Sequence, residues 1–530
     1  MGRLGRGLAA MAVGAALLSC APATPPAAAE YLVFYAAGAR ADALKAVRAA
    51  GGTAVATEPK LGYIVAAGRR DGFAEALGAS PAIAGVSSDR PIGYASARTL
   101  DALPDAATLA GKPGDAKPGA SGEPLAHRQW DMRMIGADRA HALAPGTKQV
   151  LVGVIDTGVD GDHPDIAPNF NRELSRNFVT DIPKDPRGQV VDGPCEHKGC
   201  KDPADVDDDG HGTHVASTIA APVNGLGIAG VAPGVQIVNL RAGQDSGLFF
   251  LKPSLQALTY AADIGVDVVN MSYYVDPWMF NCADNPADNP RERQEQRAVI
   301  TGMQRAIDYA RSKGVTLITA LGNDSLDLGH PVTDHVSPNY PRGVAAKSRK
   351  LDNSCLNVPA ESKGVVSVAA VGPSGSLAGY SNYGLEQTDL AAPGGDVTDG
   401  EGMAVGGAIL AAAPEDVLRR KRKIRPSGEP ATSQIVRDCR GGTCAYYQYM
   451  EGTSMAAPHA AGVAAILISR FGKPGPGGLH LAPAEVERLL YATATPKGCP
   501  SSSECRGDRK HNGFYGRGIV DAFKAATVKL

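Results

Sequence analysis

Five runs of aliphatic and β-branched residues constrain the fold of this chain most: VLVGVID ending at Asp156, VQIVNL ending at Leu240, VDVVNMS ending at Ser272, VTLITALGN ending at Asn323 and VVSVAAV ending at Val371. Runs this continuous suit strands covered on both faces, because a strand with one wet face would alternate polar and apolar residues. Stretches with helical periodicity separate them and supply right-handed crossovers, so the strands should lie parallel in one sheet. The expected fold class is therefore α/β, a doubly wound, mostly parallel sheet. In that architecture reactive groups gather outside the carboxyl ends of the strands, where Asp156 and Asn323 both fall.

The first residues, MGRLGRGLAAMAVGAALLSC, place Arg3 and Arg6 ahead of an apolar stretch too short for a comfortable membrane span. Residues 1–29 therefore read as an export signal. Leu17-Leu18-Ser19-Cys20 resembles a bacterial lipobox, which would put lipid on Cys20 and attach the protein to a membrane; cleavage after Ala29 is the competing reading. Residues 30–94 give strand, helix, two strands, helix and strand, a βαββαβ order that predicts a small ferredoxin-like domain. Residues 95–126, rich in Ala, Pro, Gly, Asp and Lys, read as an exposed linker that is easily cut, and residues 127–530 as the α/β domain.

The formal net charge of -2 provides no basic field for nucleic acid. Setting Cys20 aside leaves eight of nine cysteines: Cys195 near Cys200, Cys439 near Cys444, Cys499 near Cys505, and the distant Cys282 and Cys355. An even set suits an oxidising compartment, with connectivity open. Three polar segments, residues 181–207, 276–297 and 396–445, read as insertions in surface loops.

A serine hydroxyl becomes a nucleophile only beside a neutral imidazole that takes its proton, and that imidazole needs a carboxylate to hold its tautomer. EGTSMAAPHAAGVAAIL puts Ser454 at the start of a small-residue helix, where amides and the helix dipole favour developing negative charge. DGHGTHVAS puts His211 on a glycine-flanked turn before another such helix, and VGVIDTGVDGDHPD puts Asp156 at the end of a buried strand.

Together these strings resemble the subtilisin-like serine peptidases, the subtilases. The resemblance implies peptide-bond hydrolysis with Asp156 as the orienting carboxylate, His211 as general base and acid, and Ser454 as nucleophile. TALGND places Asn323 on the family's oxyanion-hole asparagine, and YGRGIVDA resembles its closing segment. It also implies that residues 30–94 are an inhibitory propeptide, that polypeptides are the substrates, and that no cofactor is required. His214 and His459 fall on the following helices, at positions the family uses structurally.

Ser272 and Gly322 match pocket-lining positions, but Tyr273 and Tyr274 replace the family's Leu-Gly after that serine. Either they crowd the substrate rim or they turn away from it. The acidic run from Asp205 to Gly210 opens like an EF-hand loop, yet Ala216 stands where the bidentate Glu is required, so no confident metal ligand emerges. The run reads as a solvated insertion; the resemblance leaves room for a structural calcium ion in another loop. A non-catalytic surface binding protein on the same scaffold and a peptidase dedicated to one precursor are the alternatives to a broad endopeptidase.

Overall fold

The computed structural model describes residues 29–88, 122–185, 187–330, 333–339, 345–399, 405–501 and 504–530. Cys20, the rest of the expected export signal up to residue 28, and most of the expected linker lie outside the described residues.

The N-terminal domain follows the expected order: β1 (Ala29–Tyr35), α1 (Arg40–Ala49), β2 (Thr53–Glu58), β3 (Tyr63–Gly68), α2 (Phe73–Gly78) and β4 (Ile83–Ser88). Its antiparallel sheet runs β2-β3-β1-β4. Alternation along β1 gives the sheet two apolar faces. Tyr31, Val33 and Tyr35 pack with Val47, Phe73 and Leu77 under the domain's own helices. Leu32 and Phe34, with Leu61 and Tyr63, bury themselves in the neighbouring domain instead.

That larger domain is built on β5 (Leu151–Ile155), β6 (Arg176–Asn177), β7 (Gln236–Arg241), β8 (Val268–Met271), β9 (Thr316–Ala320), β10 (Val366–Val371) and β11 (Leu390–Pro393). All pairs are parallel, in the order β11-β10-β9-β8-β5-β7-β6. Successive residues serve opposite layers. Val152 and Val154 pack with α3 (His211–Ala220) and a C-terminal helix, Thr453–Phe471, whereas Leu151 and Ile155 pack with α4 (Leu251–Ile264) and α5 (Pro290–Ser312). We label the C-terminal helix α6. It is buried from Thr453 through Ile468, which its Ala-rich sequence permits by letting backbones approach closely.

Helix α5 is the platform for the N-terminal sheet. Gly302 lies under Phe34, where a Cβ would come 2.6 Å from the ring, and Arg305 donates to the carbonyls of Tyr35, Leu61 and Gly62 at 2.9, 3.1 and 3.0 Å. Lys252 pairs with Glu30 and Lys60 with Asp263 at the margin.

Two of the three presumed loop insertions are folded parts of the domain. In residues 276–297, Trp278 and Phe280 are buried, and α5 begins inside the segment behind an Asn289/Glu292 capping box. Buried Arg349 anchors it by stacking on Trp278 and binding Asp288 at 3.0 Å. In residues 396–445, the buried strand β12 (Ile409–Ala412) pairs with β14 (Thr443–Met450), which also pairs with β13 (Ile435–Arg440). The described residues within 181–207 are mostly irregular, as expected. The larger domain also starts earlier than position 127: Glu123 is buried, and Leu125 donates its N–H to Gly227 at 2.8 Å. Disulfides join Cys195 to Cys200, Cys282 to Cys355, Cys439 to Cys444 and Cys499 to Cys505. Among the described residues, no helix is long and apolar enough to cross a membrane.

Candidate functional site

The carboxyl edge of the sheet brings the separated motifs together. Asp156 follows β5 directly, and its carbonyl accepts from Ala242 and Gly243, just beyond β7, at 3.0 Å each. His211 opens α3 and reaches Asp156 Oδ1 through Nδ1 at 2.6 Å, with both side chains buried. This approach requires a glycine after the histidine. A Cβ on Gly212 would fall 2.0 Å from the Gly158 carbonyl oxygen and 2.9 Å from Asp156 Cβ.

Burial alone would push the His211 imidazole down. The Asp156 charge and hydrogen bond, with the charges of Asp209 and Asp207, instead hold it above its ordinary value. His211 Nε2 is buried without a hydrogen-bond partner among the described residues. Ser454, in the first turn of α6, donates its hydroxyl to the Ser272 carbonyl at 3.2 Å rather than to that nitrogen. The Ser272 side chain returns the contact, donating to the Ser454 carbonyl at 3.0 Å while accepting from Asn270 at 2.9 Å. The hydroxyl thus waits on the carbonyl of the strand end, and a turn about its χ1 exchanges that acceptor for another.

Asn323 lies three residues beyond β9. Its Oδ1 accepts from both the N–H and the hydroxyl of Thr453 at 2.8 Å, so the amide presents Nδ2 as its donating end. The Thr453 hydroxyl also accepts from Gly322 N–H at 3.0 Å, tying the two loops together. A Cβ built on Gly452 would lie 3.4 Å from Asn323 Nδ2 and 3.6 Å from Ser454 N. Those two donors therefore flank a common space beside Ser454, open because position 452 lacks a side chain.

His214 and His459 are held elsewhere, as expected. His214 Nε2 lies 3.1 Å from the Ile409 and Gln448 carbonyls, and His459 spans the Met455 carbonyl and Asp131. Tyr273 does not crowd a rim: it is buried, stacked on Phe249 with centroids 4.1 Å apart. Tyr274 is half-buried, its hydroxyl accepting from Asn339 at 3.0 Å, and burial beside the charges of Asp276 and Asp324 raises its pKa.

The acidic run is not a solvated loop at its centre. Asp207 is 2% exposed and saturated with hydrogen bonds, a role that sequence reading missed because its partners include Thr157, fifty positions away. Thr453 and Asn270 were also missed; the string GTS contained the former without showing what its hydroxyl would face. Asp181, Asp202 and Asp245 bring oxygens within 4.8 Å of one another, the spacing a hard cation needs. Arg241 already lies among them, 2.7 Å from Asp202 and also touching Asp245. Burial, reinforced by neighbouring carboxylates, still pushes Asp181 up to about 7 and Asp245 up to about 8.

Comparison with known proteins gives the same fold. Fervidolysin of Fervidobacterium pennivorans is 29% identical over 386 residues, 70% of this chain but only 41% of that protein. The epidermin leader peptide-processing serine protease EpiP of Staphylococcus epidermidis is 27% identical over 76% of this chain and 74% of its own. The solved epidermin leader peptide processing serine protease from Staphylococcus aureus superposes with a TM-score of 0.62 at 23% identity, covering 94% of this chain and 98% of that one. The model of the subtilase family matches residues 147–518, and the chain belongs to that family.

Proposed function

We propose that this chain is an exported serine endopeptidase, made as a precursor, that cleaves peptide bonds through an acyl-enzyme on Ser454. The observation that supports the reading is that the carboxyl edge of one parallel sheet carries both the bonded Asp156–His211 pair and the Ser454 turn, which Asn323 holds through Thr453. With a peptide bound, the Ser454 hydroxyl leaves the Ser272 carbonyl and gives its proton to His211 Nε2 as Oγ attacks the scissile carbon. Asp156 steadies the resulting imidazolium. Asn323 Nδ2 and Ser454 N–H receive the developing oxyanion. His211 then protonates the leaving amine; water, activated by the same imidazole, releases the acyl group and restores Ser454. The pocket reading keeps Ser272, Gly322 and Tyr274 as lining candidates, with Tyr273 packed behind on Phe249.

The chain's own side chains and the Ser454 amide, with water, carry this chemistry. We read Asp181, Asp202 and Asp245 as an arginine-centred ion network, because a calcium ion there would compete with Arg241 for the same oxygens.

The N-terminal domain is proposed as an intramolecular inhibitor. One face of its sheet is apolar and finds cover only on the larger domain. The match to the S. aureus structure spans more of the chain than residues 122–530 could fill, which supports a shared precursor layout. Cleavage in the linker falls before Glu123, since that residue is already built into the larger domain. Cys20 is read as the lipid attachment site that keeps the enzyme at the cell envelope. Wild-type precursor should yield a shortened product with a linker-derived N-terminus, while Ser454→Ala accumulates uncut; equal processing of both would defeat the reading.

Dedicated precursor processing is favoured over broad degradation, because two relatives carry names that specify leader-peptide processing: the epidermin enzyme above and the nisin leader peptide-processing protease of Lactococcus lactis. A peptide-library profile with narrow preference at several positions would support this, and an unselective profile would remove it.

A further inference from the structure

Asp207 is a buried carboxylate whose hydrogen-bond donors among the described residues all lie at one joint. Its Oδ1 accepts from the Thr157 hydroxyl at 3.0 Å, Gly210 N–H at 2.9 Å and Asp209 N–H at 3.3 Å. Its Oδ2 accepts from Thr213 N–H at 2.9 Å and the Thr213 hydroxyl at 2.6 Å. Thr157 is the residue after Asp156; Gly210 and Thr213 bracket His211. The link is closed on itself, because the Thr157 hydroxyl accepts from Gly212 N–H at 3.0 Å, and Thr157 N–H donates to Asp156 Oδ1 at 2.8 Å.

A carboxylate accepting this many donors is geometrically fixed. One side chain therefore sets the distance between the strand end that carries Asp156 and the helix start that carries His211. Gly210 offers no side-chain cap to α3, so Asp207 also satisfies the amides that a helix start leaves open. We propose that Asp207 is a positioning residue for the Asp156–His211 pair, holding both in one register and supplying negative charge behind the imidazole. It touches no reacting atom. The inference rests on the reading of that pair as catalytic.

The charged and titratable groups that face this joint are Asp156 from the strand end, Asp209 and Asp207 from the turn before α3, His214 from α3 itself, and Arg241 at the end of β7, whose charge acts on Asp207 while burial and the Asp209 charge push that carboxyl up. Removing the Asp207 charge weakens the stabilisation of the imidazolium, so neutral imidazole persists to lower pH. In Asp207→Asn, the new amide also opposes the Thr213 N–H donor with a donor of its own.

The test measures kcat, KM and the pH profile of processed enzyme, with rates normalised to the titrated active fraction. Asp207→Asn should lower kcat by about 10- to 100-fold with KM little changed, and should move the acid limb of kcat/KM to lower pH. Thr157→Val, which cuts the strand-side link while keeping the charge, should lower kcat without moving that limb. Folded Asp207→Asn with wild-type kcat and limb would overturn the proposal, as would a loss that only tracks the inactive fraction. If that variant does not fold, Thr157→Val decides: wild-type kcat overturns the inference, and a lower kcat at unchanged KM supports it. Failure of the catalytic reading would show separately, as a wild-type enzyme without activity.

Discussion

Arg305 offers the most quantitative handle on the proposed precursor. Its guanidinium reaches from α5 into the N-terminal sheet and donates to the carbonyls of Tyr35, Leu61 and Gly62 at 2.9 to 3.1 Å. A hydrogen bond to a charged group contributes roughly 1.5–3 kcal/mol. The side chain is only half-buried, and water can reach the carbonyls once it is gone, so the three together are worth about 3 kcal/mol rather than their sum. That corresponds to about a 100-fold weaker hold on the N-terminal domain. The apolar contacts of Leu32, Phe34, Leu61 and Tyr63 persist in Arg305→Ala, so docking weakens without being abolished. After linker cleavage, the fraction of N-terminal piece retained on dilution can be followed by native mass spectrometry alongside recovery of activity. Arg305→Ala should release the piece at about 100-fold higher protein concentration than wild type, with a shorter lag before activity. Arg305→Lys, keeping charge but not the fork, should fall between. Identical retention in all three would refute the docking argument.

Asn323→Leu should reduce kcat by about two to three orders of magnitude, the usual cost of losing one oxyanion donor, with KM nearly unchanged; steady-state kinetics on a peptide ester checks this. Gly212→Ala should lower thermal stability by about 1–3 kcal/mol, because its Cβ meets a backbone oxygen rather than a yielding side chain; calorimetry of the Ser454→Ala background isolates this from self-digestion. The pH profile has a definite sign. His211 must be neutral to accept the serine proton, and its environment raises its pKa, so kcat/KM should fall on the acid side through an apparent pKa above 6.5. A limb below that value would contradict the electrostatic account.

The buried strands were legible because parallel strands covered on both sides leave a nearly uninterrupted apolar signature, and the reactive residues followed from where those runs stop. β6 and β11 escaped because one is two residues long and the other, LAAP, ends in proline and carries little β-branched character. The N-terminal domain was read correctly in its element order. What local patterns could not show were side chains whose meaning depends on distant partners. Whether Tyr273 crowds the rim or turns away from it was open until Phe249 supplied its stacking face, and residues 276–297 looked like a loop without Arg349 and Cys355 to bury them. Asp207 sat in a run whose charge suggested water. Burial and the hydroxyls of Thr157 and Thr213 turn it into a structural acceptor.

The central claim is that Ser454, served by His211, is the nucleophile, and covalent capture tests it most directly. Processed wild-type protein treated with a peptidyl phosphonate should gain a single adduct, located on Ser454 by peptide mass spectrometry, lost in Ser454→Ala and strongly slowed in His211→Ala. An adduct on another residue, or no adduct on active, processed protein, would contradict the account.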